Sequence, residues 1–277
     1  MTDPLEPHLV QAVQRPGQPI WTRYVALGDS FTEGMVDVDP QDETRYAGWA
    51  DRLAAHLAEQ ARAASLPFGY ANLAVRGRKL DDVVGAQLER GLAMDPDLVS
   101  IVGGGNDLLR PSVDLDSLAS RLEEAVVRIR ATGADVLLAT PTDTRDAGLF
   151  KPLRGRHAIH TANLFTIAQR HECSVLNLWG MSSIRDWRMW GEDRIHLNTE
   201  GHRRVTDAAL VALGLPPADP DWDVPLPPAD PTARAEALRQ HADWVRVHAA
   251  PWVERRVRGT SSGSSLVAKR PDLTPLD

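Results

Sequence analysis

The 277-residue sequence contains one cysteine, Cys173, which excludes an internal disulfide. No apolar run approaches the roughly 20 residues that a membrane-spanning helix needs. The motifs C-x-x-C, H-E-x-x-H and G-x-x-x-x-G-K-[ST] are also absent, and with them the usual sequence signals of metal, redox and nucleotide chemistry. The sequence therefore predicts no cofactor, no metal site and no integral membrane segment.

Positively charged residues are fewer than negatively charged ones, with 31 Lys and Arg against 38 Asp and Glu and a net charge of −7. This balance gives no general electrostatic reason to bind nucleic acid or an anionic membrane. The first residues, MTDPLEPHLVQAVQRPGQ, have neither the basic region nor the apolar region of a cleaved secretory signal. We therefore expect a cytoplasmic protein with a small-molecule substrate and no nucleic-acid partner.

Short apolar runs that end in turn residues alternate with helical patterns between about residues 22 and 213. The predicted strands are Arg23–Gly28, Phe68–Ala74, Asp97–Gly103, Asp135–Thr140 and Ser174–Leu178. The predicted helices are Arg45–Ala64, Leu80–Ala93, Leu115–Ala131, Leu153–His171 and Thr199–Leu213. Alternation of this kind is typical of a parallel sheet covered by helices, so we expect one doubly wound α/β domain over residues 22–214, preceded by an extension over residues 1–21.

The composition changes after this domain. Seven prolines occur in the sixteen residues 216–231, so residues 215–230 are predicted to form an extended, semi-rigid connection. A helix capped by Asp230 should follow, with an apolar stripe of Leu238, Ala242, Val245 and Ala249. The Ser/Gly-rich stretch that begins at Gly259 is predicted to be a loop or a loosely held tail. We expect residues 231–277 to pack on the domain as a structural arm, the alternatives being a lid over the cleft or a dimer contact.

The ends of the predicted strands carry the candidate functional residues, because ligands of doubly wound sheets bind outside the carboxyl ends of the strands. Ser30 follows the first strand in Gly28-Asp29-Ser30. A serine there is placed to act as a nucleophile if a base can take its proton. Taken alone, a serine after a strand more often caps the following turn.

Two further strand ends are rich in glycine. Asn72-Leu73-Ala74-Val75-Arg76-Gly77 ends in a residue whose backbone N–H a ligand can approach closely. Gly103-Gly104-Gly105-Asn106-Asp107 offers the Asn106 amide as a hydrogen-bond donor of the kind that an oxyanion hole needs. The alternative for Asn106 and Asp107 is an Asx-turn that caps a helix.

The last candidate is Asp193-Arg194-Ile195-His196, just before the final predicted helix of the domain. A carboxylate three residues before a histidine can reach its ring, fix its tautomer and stabilise the imidazolium. Taken alone, such a pair could also be a surface ion pair. The other histidines have no partner so placed and are predicted to be structural or solvated.

These four blocks occur together in the order and spacing typical of the SGNH (GDSL-like) hydrolases, and the chain resembles that family over about residues 22–214. The resemblance implies a flavodoxin-like three-layer α/β/α fold with strand order 2-1-3-4-5 and a Ser-His-Asp triad that acts on acyl esters. Ser30 would be the nucleophile, His196 the general base and acid, and Asp193 its orienting partner. The oxyanion donors would be the Ser30 and Gly77 N–H groups and the Asn106 side chain.

The nucleophile block reads G-D-S-F where the family name has G-D-S-L, a change that leaves the serine in place. The whole chain looks like a subgroup of cytoplasmic bacterial esterases similar to lysophospholipase and arylesterase relatives. The function so implied is hydrolysis of carboxylic esters with small to medium acyl groups through an acyl-enzyme. The alternatives are acyl transfer by the same triad and a non-catalytic binding protein on the same fold.

Two loops that follow predicted strands, Met35–Thr44 and Thr142–Pro152, should border the cleft because of their position. They contain apolar side chains beside many charges, so we expect a mixed wall suited to small or medium acyl groups. Tryptophans Trp179, Trp187 and Trp190 precede Asp193 and are predicted to pack near the site.

Overall fold

A computed structural model describes residues 19–229, 243–249, 263 and 266–276. It confirms the α/β fold. The strands are short: β1 Arg23–Leu27, β2 Val38–Asp39, β3 Asp42–Tyr46, β4 Gly69–Asn72, β5 Leu98–Ile101, β6 Asp135–Ala139, β7 Ser174–Leu176 and β8 Arg270–Pro275. The central sheet has the order β7-β6-β5-β1-β4-β8, in which the first five strands are parallel. These five strands lie in the predicted order 2-1-3-4-5.

The helices cover both faces of this sheet. They are α1 Ser30–Glu33, α2 Trp49–Ala63, α3 Leu80–Asp82, α4 Leu88–Leu92, α5 Gly105–Leu108, α6 Leu115–Arg130, α7 Arg154–His171 and α8 Thr199–Ala212, with a π-helical turn, Val83–Gln87, joining α3 to α4. Buried side chains of α2 and α8 form one apolar cluster with the sheet, and those of α3, α4, α6 and α7 form a second. The molecule is thus a three-layer sandwich. No helix of the described residues is long and apolar enough to cross a membrane.

The sequence of α6 shows why the helices form where they do. The Asp114 carboxylate caps the first turn by accepting from the Ser117 N–H at 3.2 Å, which pairs one of the backbone donors that a helix start leaves unbonded. Apolar residues then recur every three or four positions, so that one face is buried: Leu118, Leu122, Ala125, Val126 and Ile129.

The predicted helix Arg45–Ala64 begins too early. Arg45 belongs to β3, which pairs with β2 in a separate antiparallel ribbon, and α2 begins only at Trp49. The reason is Gly48, whose φ of +86° is not helical and whose Cα lies so close to Gly34 that a Cβ would be 2.5 Å from the Gly34 Cα. Glycine is the residue that tolerates such a conformation and such an approach.

The prediction of a loosely held tail is also wrong for residues 270–275. They form β8, which pairs antiparallel with β4 in a register that sets Tyr70 opposite Thr274. The sheet therefore has six strands, where five were expected. An exposed edge of a parallel sheet leaves a row of backbone groups unpaired, and a returning segment can pair with them.

Part of the predicted arm helix, including Asp230, Leu238 and Ala242, lies outside the described residues. Within them, residues 243–249 are helical. Val245, predicted on the buried stripe, is exposed.

Candidate active site

Ser30 is the first residue of α1, directly after β1. The helix is capped by Asp29, whose carboxylate accepts from the Phe31 N–H at 3.1 Å. Ser30 itself does not act as the cap, so its hydroxyl is available at the carboxyl end of the sheet. The side chain lines a cleft at that end.

His196 connects Ser30 to Asp193. Its Nε2 lies 3.0 Å from the Ser30 Oγ, and its Nδ1 lies 2.6 Å from the Asp193 Oδ2. The structure thus brings together three residues that are separated by up to 166 positions in the sequence. The arrangement is a continuous hydrogen-bonded chain from hydroxyl to imidazole to carboxylate.

The Asp193 carboxylate is held by its own loop. Its Oδ1 accepts from the Ile195 N–H at 2.9 Å and from the His196 N–H at 3.0 Å, which leaves Oδ2 for the imidazole. Burial raises the pKa of Asp193, but the hydrogen bonds and charge of His196 outweigh burial and leave the pKa below its usual value. An ionised carboxylate only accepts, so the Nδ1 of His196 carries the proton and the Nε2 accepts from Ser30.

The three predicted oxyanion donors line the same cleft. No hydrogen bond within the described parts of the chain uses the backbone N–H of Ser30 or Gly77. Gly77 has a φ of +76°, a conformation that favours glycine. The Asn106 amide donates to Asp29 Oδ2 at 3.0 Å and to the Arg78 carbonyl at 2.9 Å.

Asp29 and Asp107 hold the loops around the site. Burial raises the pKa of Asp29 to about 6, against the opposing hydrogen bonds from the Phe31 N–H and the Asn106 amide. Asp107 accepts from the Leu80 N–H at 2.9 Å and so joins the loop after β5 to the start of α3. Both carboxylates thereby connect separate loops to each other.

The cleft has a volume of about 540 Å³ and a mixed wall. Of the two loops expected to border it, the first contributes Met35 and the second contributes Phe150 among others. Trp187 and Trp190 line the cleft, whereas Trp179 does not.

Several lining residues had no sequence signal. His157 and His202 were predicted to be structural or solvated, and both are buried and line the cleft. Val247 and His248, from the segment after the connection, also line it. The expected mixed wall is therefore built partly by residues far along the chain.

Comparison with known proteins agrees with this fold. The model of the GDSL-like lipase/acylhydrolase family matches residues 26–204. A search of curated protein sequences finds no match. The chain is similar in structure to LAE5, an alpha/beta hydrolase enzyme from the metagenome of Lake Arreo, with a TM-score of 0.58, 23% identity, and coverage of 70% of this chain and 95% of that one.

Two esterase structures are similar in the same region. Axe2, an acetylxylan esterase from Geobacillus stearothermophilus, has a TM-score of 0.56 and 20% identity, and the match covers 70% of this chain and 94% of Axe2. The psychrotrophic esterase EstA from Pseudoalteromonas sp. has a TM-score of 0.53 and 17% identity, with 69% of this chain and 95% of EstA covered. At these identities the likeness shows the fold.

The family match covers well over half of the chain, so the chain belongs to the GDSL-like lipase/acylhydrolase family, the SGNH hydrolases. As a member of that family it is a carboxylic ester hydrolase.

Proposed function

We propose that the protein is a serine esterase in which Ser30 is the nucleophile, His196 the general base and acid, and Asp193 the residue that orients the imidazole. The observation that carries the proposal is the hydrogen-bonded chain from the Ser30 Oγ through His196 to the Asp193 carboxylate. A serine hydroxyl is a weak nucleophile, and a base held by a third group is what activates it.

In the first half-reaction the Ser30 Oγ attacks the ester carbonyl carbon while its proton passes to the His196 Nε2. The tetrahedral intermediate then releases the alcohol, which takes that proton, and an acyl-enzyme remains. In the second half-reaction His196 accepts a proton from water, the hydroxyl attacks the acyl-enzyme, and the proton returns to the Ser30 Oγ as the acid leaves. The Asp193 carboxylate stabilises the imidazolium in both steps.

The oxyanion of each tetrahedral intermediate is assigned to the Ser30 and Gly77 N–H groups, which carry no hydrogen bond within the described chain, and to the Asn106 amide. For the amide to take part, one of its two N–H groups shares its hydrogen between the oxyanion and its present acceptor, Asp29 or the Arg78 carbonyl. Donors that are already in place lower the barrier because they need no reorganisation during the reaction.

We further propose small to medium acyl groups as substrates, since the cleft wall mixes apolar side chains with charged ones such as Arg110 and Arg185, against which a long alkyl chain is poorly accommodated. The esterase subgroup similar to lysophospholipase and arylesterase relatives, and the cytoplasmic location, stay predictions of the sequence. Rates for p-nitrophenyl acetate, butyrate, octanoate and dodecanoate measure the acyl preference directly. A maximum at dodecanoate would contradict the proposed size range.

The nucleophile is tested by labelling with a small fluorophosphonate, followed by peptide mapping. The label is expected on Ser30, and S30A is expected to lose both labelling and ester hydrolysis. S120A is the matched control, because Ser120 is exposed on α6. His196→Ala should cost about as much as S30A, and the double variant hardly more, since the two residues act as a unit.

Label on another serine, or substantial activity in S30A, would overturn the assignment. An unlabelled wild-type protein would favour the non-catalytic binding alternative. Product analysis with an added alcohol separates hydrolysis from acyl transfer, because a transferase forms a new ester in place of the free acid.

A further inference from the structure

The family match ends at residue 204, yet residues far beyond it lie against the active site. We use the name C-terminal strap for the described residues 243–249, 263 and 266–276. Strand β8 anchors the strap at the edge of the central sheet, where it pairs with β4. The described residues of the strap contact three elements that carry proposed catalytic groups.

The first contact is at the loop of Asp193 and His196. The Trp244 indole Nε1 donates to the Asp193 backbone carbonyl at 3.0 Å. The guanidinium carbon of Arg194 lies 5.2 Å from the centre of the Trp244 ring and 5.9 Å from that of Trp187. Cations over aromatic faces at such distances are attracted to the ring.

Arg194 lies between the two catalytic positions and has a φ of +54°. A left-handed conformation is costly for a residue with a side chain, so surrounding contacts must maintain it. Trp244 contacts the backbone on one side of this residue and the side chain of the residue itself. It is therefore placed to hold the turn that directs the Asp193 carboxylate at the imidazole.

The second contact is at the nucleophile helix. The Lys269 ammonium donates to the backbone carbonyls of Glu33 at 2.6 Å and Tyr46 at 2.8 Å, and pairs with the Asp51 carboxylate at 2.6 Å. Its side chain is only 13% exposed. A mostly buried ammonium is costly unless its donors are used, and here these three acceptors use them, with the Ala47 carbonyl a fourth at 3.4 Å.

Glu33 is the last residue of α1, and Ser30 is the first. A helix of one turn has few bonds of its own to hold its orientation, so a contact at its end also constrains its start. Lys269 thus joins the nucleophile helix to the end of β3 and the first turn of α2.

The third contact is at the loop of Gly77. A Cβ on Gly263 would lie 2.1 Å from the carbonyl oxygen of Arg76, the residue before Gly77. Only glycine fits so close to another backbone. The strap therefore lies directly on the loop that presents the proposed oxyanion donor.

We propose that the C-terminal strap is a positioning element of the active site, in which Trp244 holds the loop of Asp193 and His196 and Lys269 holds the helix of Ser30. The proposal rests on the catalytic roles given above. Misplacement of reacting groups by a fraction of an ångström is enough to lower a catalytic rate, because the barrier depends on near-attack geometry. Trp244 acts on the loop of the base and Lys269 on the helix of the nucleophile, so each contact constrains one of the two reacting groups.

The test compares W244F and K269M with D272N as the matched control. W244F keeps an aromatic ring for Arg194 and removes the indole N–H, while K269M keeps the length of the side chain and removes its charge. D272N breaks an exposed pair of the same strap, in which Asp272 Oδ1 lies 2.9 Å from Arg90 and the Asp272 side chain is 72% exposed. The measurements are kcat and KM for p-nitrophenyl acetate, the rate of phosphonylation of Ser30 by a small fluorophosphonate, and the melting temperature.

We expect W244F to lower kcat and the phosphonylation rate by about tenfold with KM nearly unchanged, and K269M to lower both further. D272N should match the wild type in rate. K269R, which restores a charge at this position, should recover part of the loss. If K269M does not fold, W244F alone still decides the outcome.

Wild-type rates in W244F, whatever its melting temperature, would overturn the proposal. The strap would then contribute only to packing and stability. A rate loss in D272N equal to that in W244F would also overturn it, because the effect would then not depend on the contacts at the site. Absence of labelling in the wild-type protein is a different result, since it overturns the catalytic roles themselves.

Discussion

Gln87 makes two hydrogen bonds to the backbone of Gly28, two residues before Ser30. Its Oε1 accepts from the Gly28 N–H at 2.8 Å, and its Nε2 donates to the Gly28 carbonyl at 2.9 Å. Gln87 ends the π-helical turn Val83–Gln87, and such turns are often found at functional sites. One buried side chain thus fixes the end of β1 that precedes Ser30, the proposed nucleophile.

We expect Gln87→Leu to destabilise the protein by about 2 kcal/mol, because both Gly28 groups lose a partner in a buried place. The rate of ester hydrolysis should fall as well, since the start of α1 is less constrained. Gln169→Leu is the control, because Gln169 is exposed on α7. Denaturant unfolding together with kcat for p-nitrophenyl acetate checks this, and equal stability of the two variants would contradict it.

Asn106→Ala is expected to lower kcat by about 10²–10³ with a smaller change in KM, because an oxyanion donor binds the transition state more strongly than the substrate. The amide also bonds to Asp29, so loss of that contact needs its own control. D29N can still cap α1 and removes only the carboxylate. Steady-state kinetics showing the same loss of kcat in D29N would assign Asn106 to loop support.

His160 gives a pH dependence of stability with a definite sign. It is buried beneath the loop of Gly103 and Gly104, with its Nε2 3.2 Å from the Gly103 carbonyl. Burial lowers its pKa from 6.5 to about 4. Between these values the unfolded chain binds the proton and the folded chain does not, so stability present above pH 6.5 is lost as the pH falls, by about 3 kcal/mol near pH 4.

Buried carboxyls act in the opposite direction. Burial raises the pKa of Asp29 and of Asp51 from 3.8 to about 6, so acidification across that range favours the folded state. Comparison with H160Q cancels these contributions, and glutamine can still donate to the Gly103 carbonyl. Denaturant unfolding at about pH 6.5 and about pH 4 should show the smaller acid loss in H160Q. Parallel losses in the two proteins would contradict the assignment.

Val247 tests the wall of the cleft. It lines the cleft and its side chain is 54% exposed, whereas Val245 is 41% exposed and does not line the cleft. V247F should lower kcat/KM for p-nitrophenyl octanoate more than for the acetate, because the larger ring reduces the room for a longer chain. V245F is the matched control. Equal ratios of octanoate to acetate in the two variants would show that Val247 does not contact the acyl chain.

The sequence pattern was sufficient to predict the α/β fold, whereas the order of the five parallel strands followed from the resemblance to the SGNH hydrolases. Buried parallel strands and amphipathic helices have local patterns, and few topologies satisfy them. The sequence also indicated Ser30, Asp193 and His196 as candidates, because the ends of parallel strands meet at one edge and the polar residues that follow them stand out. The structure places the three side chains in hydrogen-bond contact, and their catalytic roles stay a prediction. Asp193 and His196 lie within one turn of chain, so their contact depends mostly on local geometry.

Only the tertiary structure determined the contacts of the C-terminal strap with the site and the sixth strand of the sheet. Lys269 lies 236 residues from the Glu33 carbonyl to which it donates, and nothing near either residue in the sequence specifies that contact. The apolar stripe predicted for the arm included Val245, which is exposed, while Trp244 next to it makes the contact with the loop of Asp193 and His196. Strand β8 formed where a loose tail was expected, because pairing at the sheet edge depends on the unpaired backbone of β4 and not on the propensity of residues 270–275. Contacts of this kind follow from where the chain returns in space, which no local pattern records.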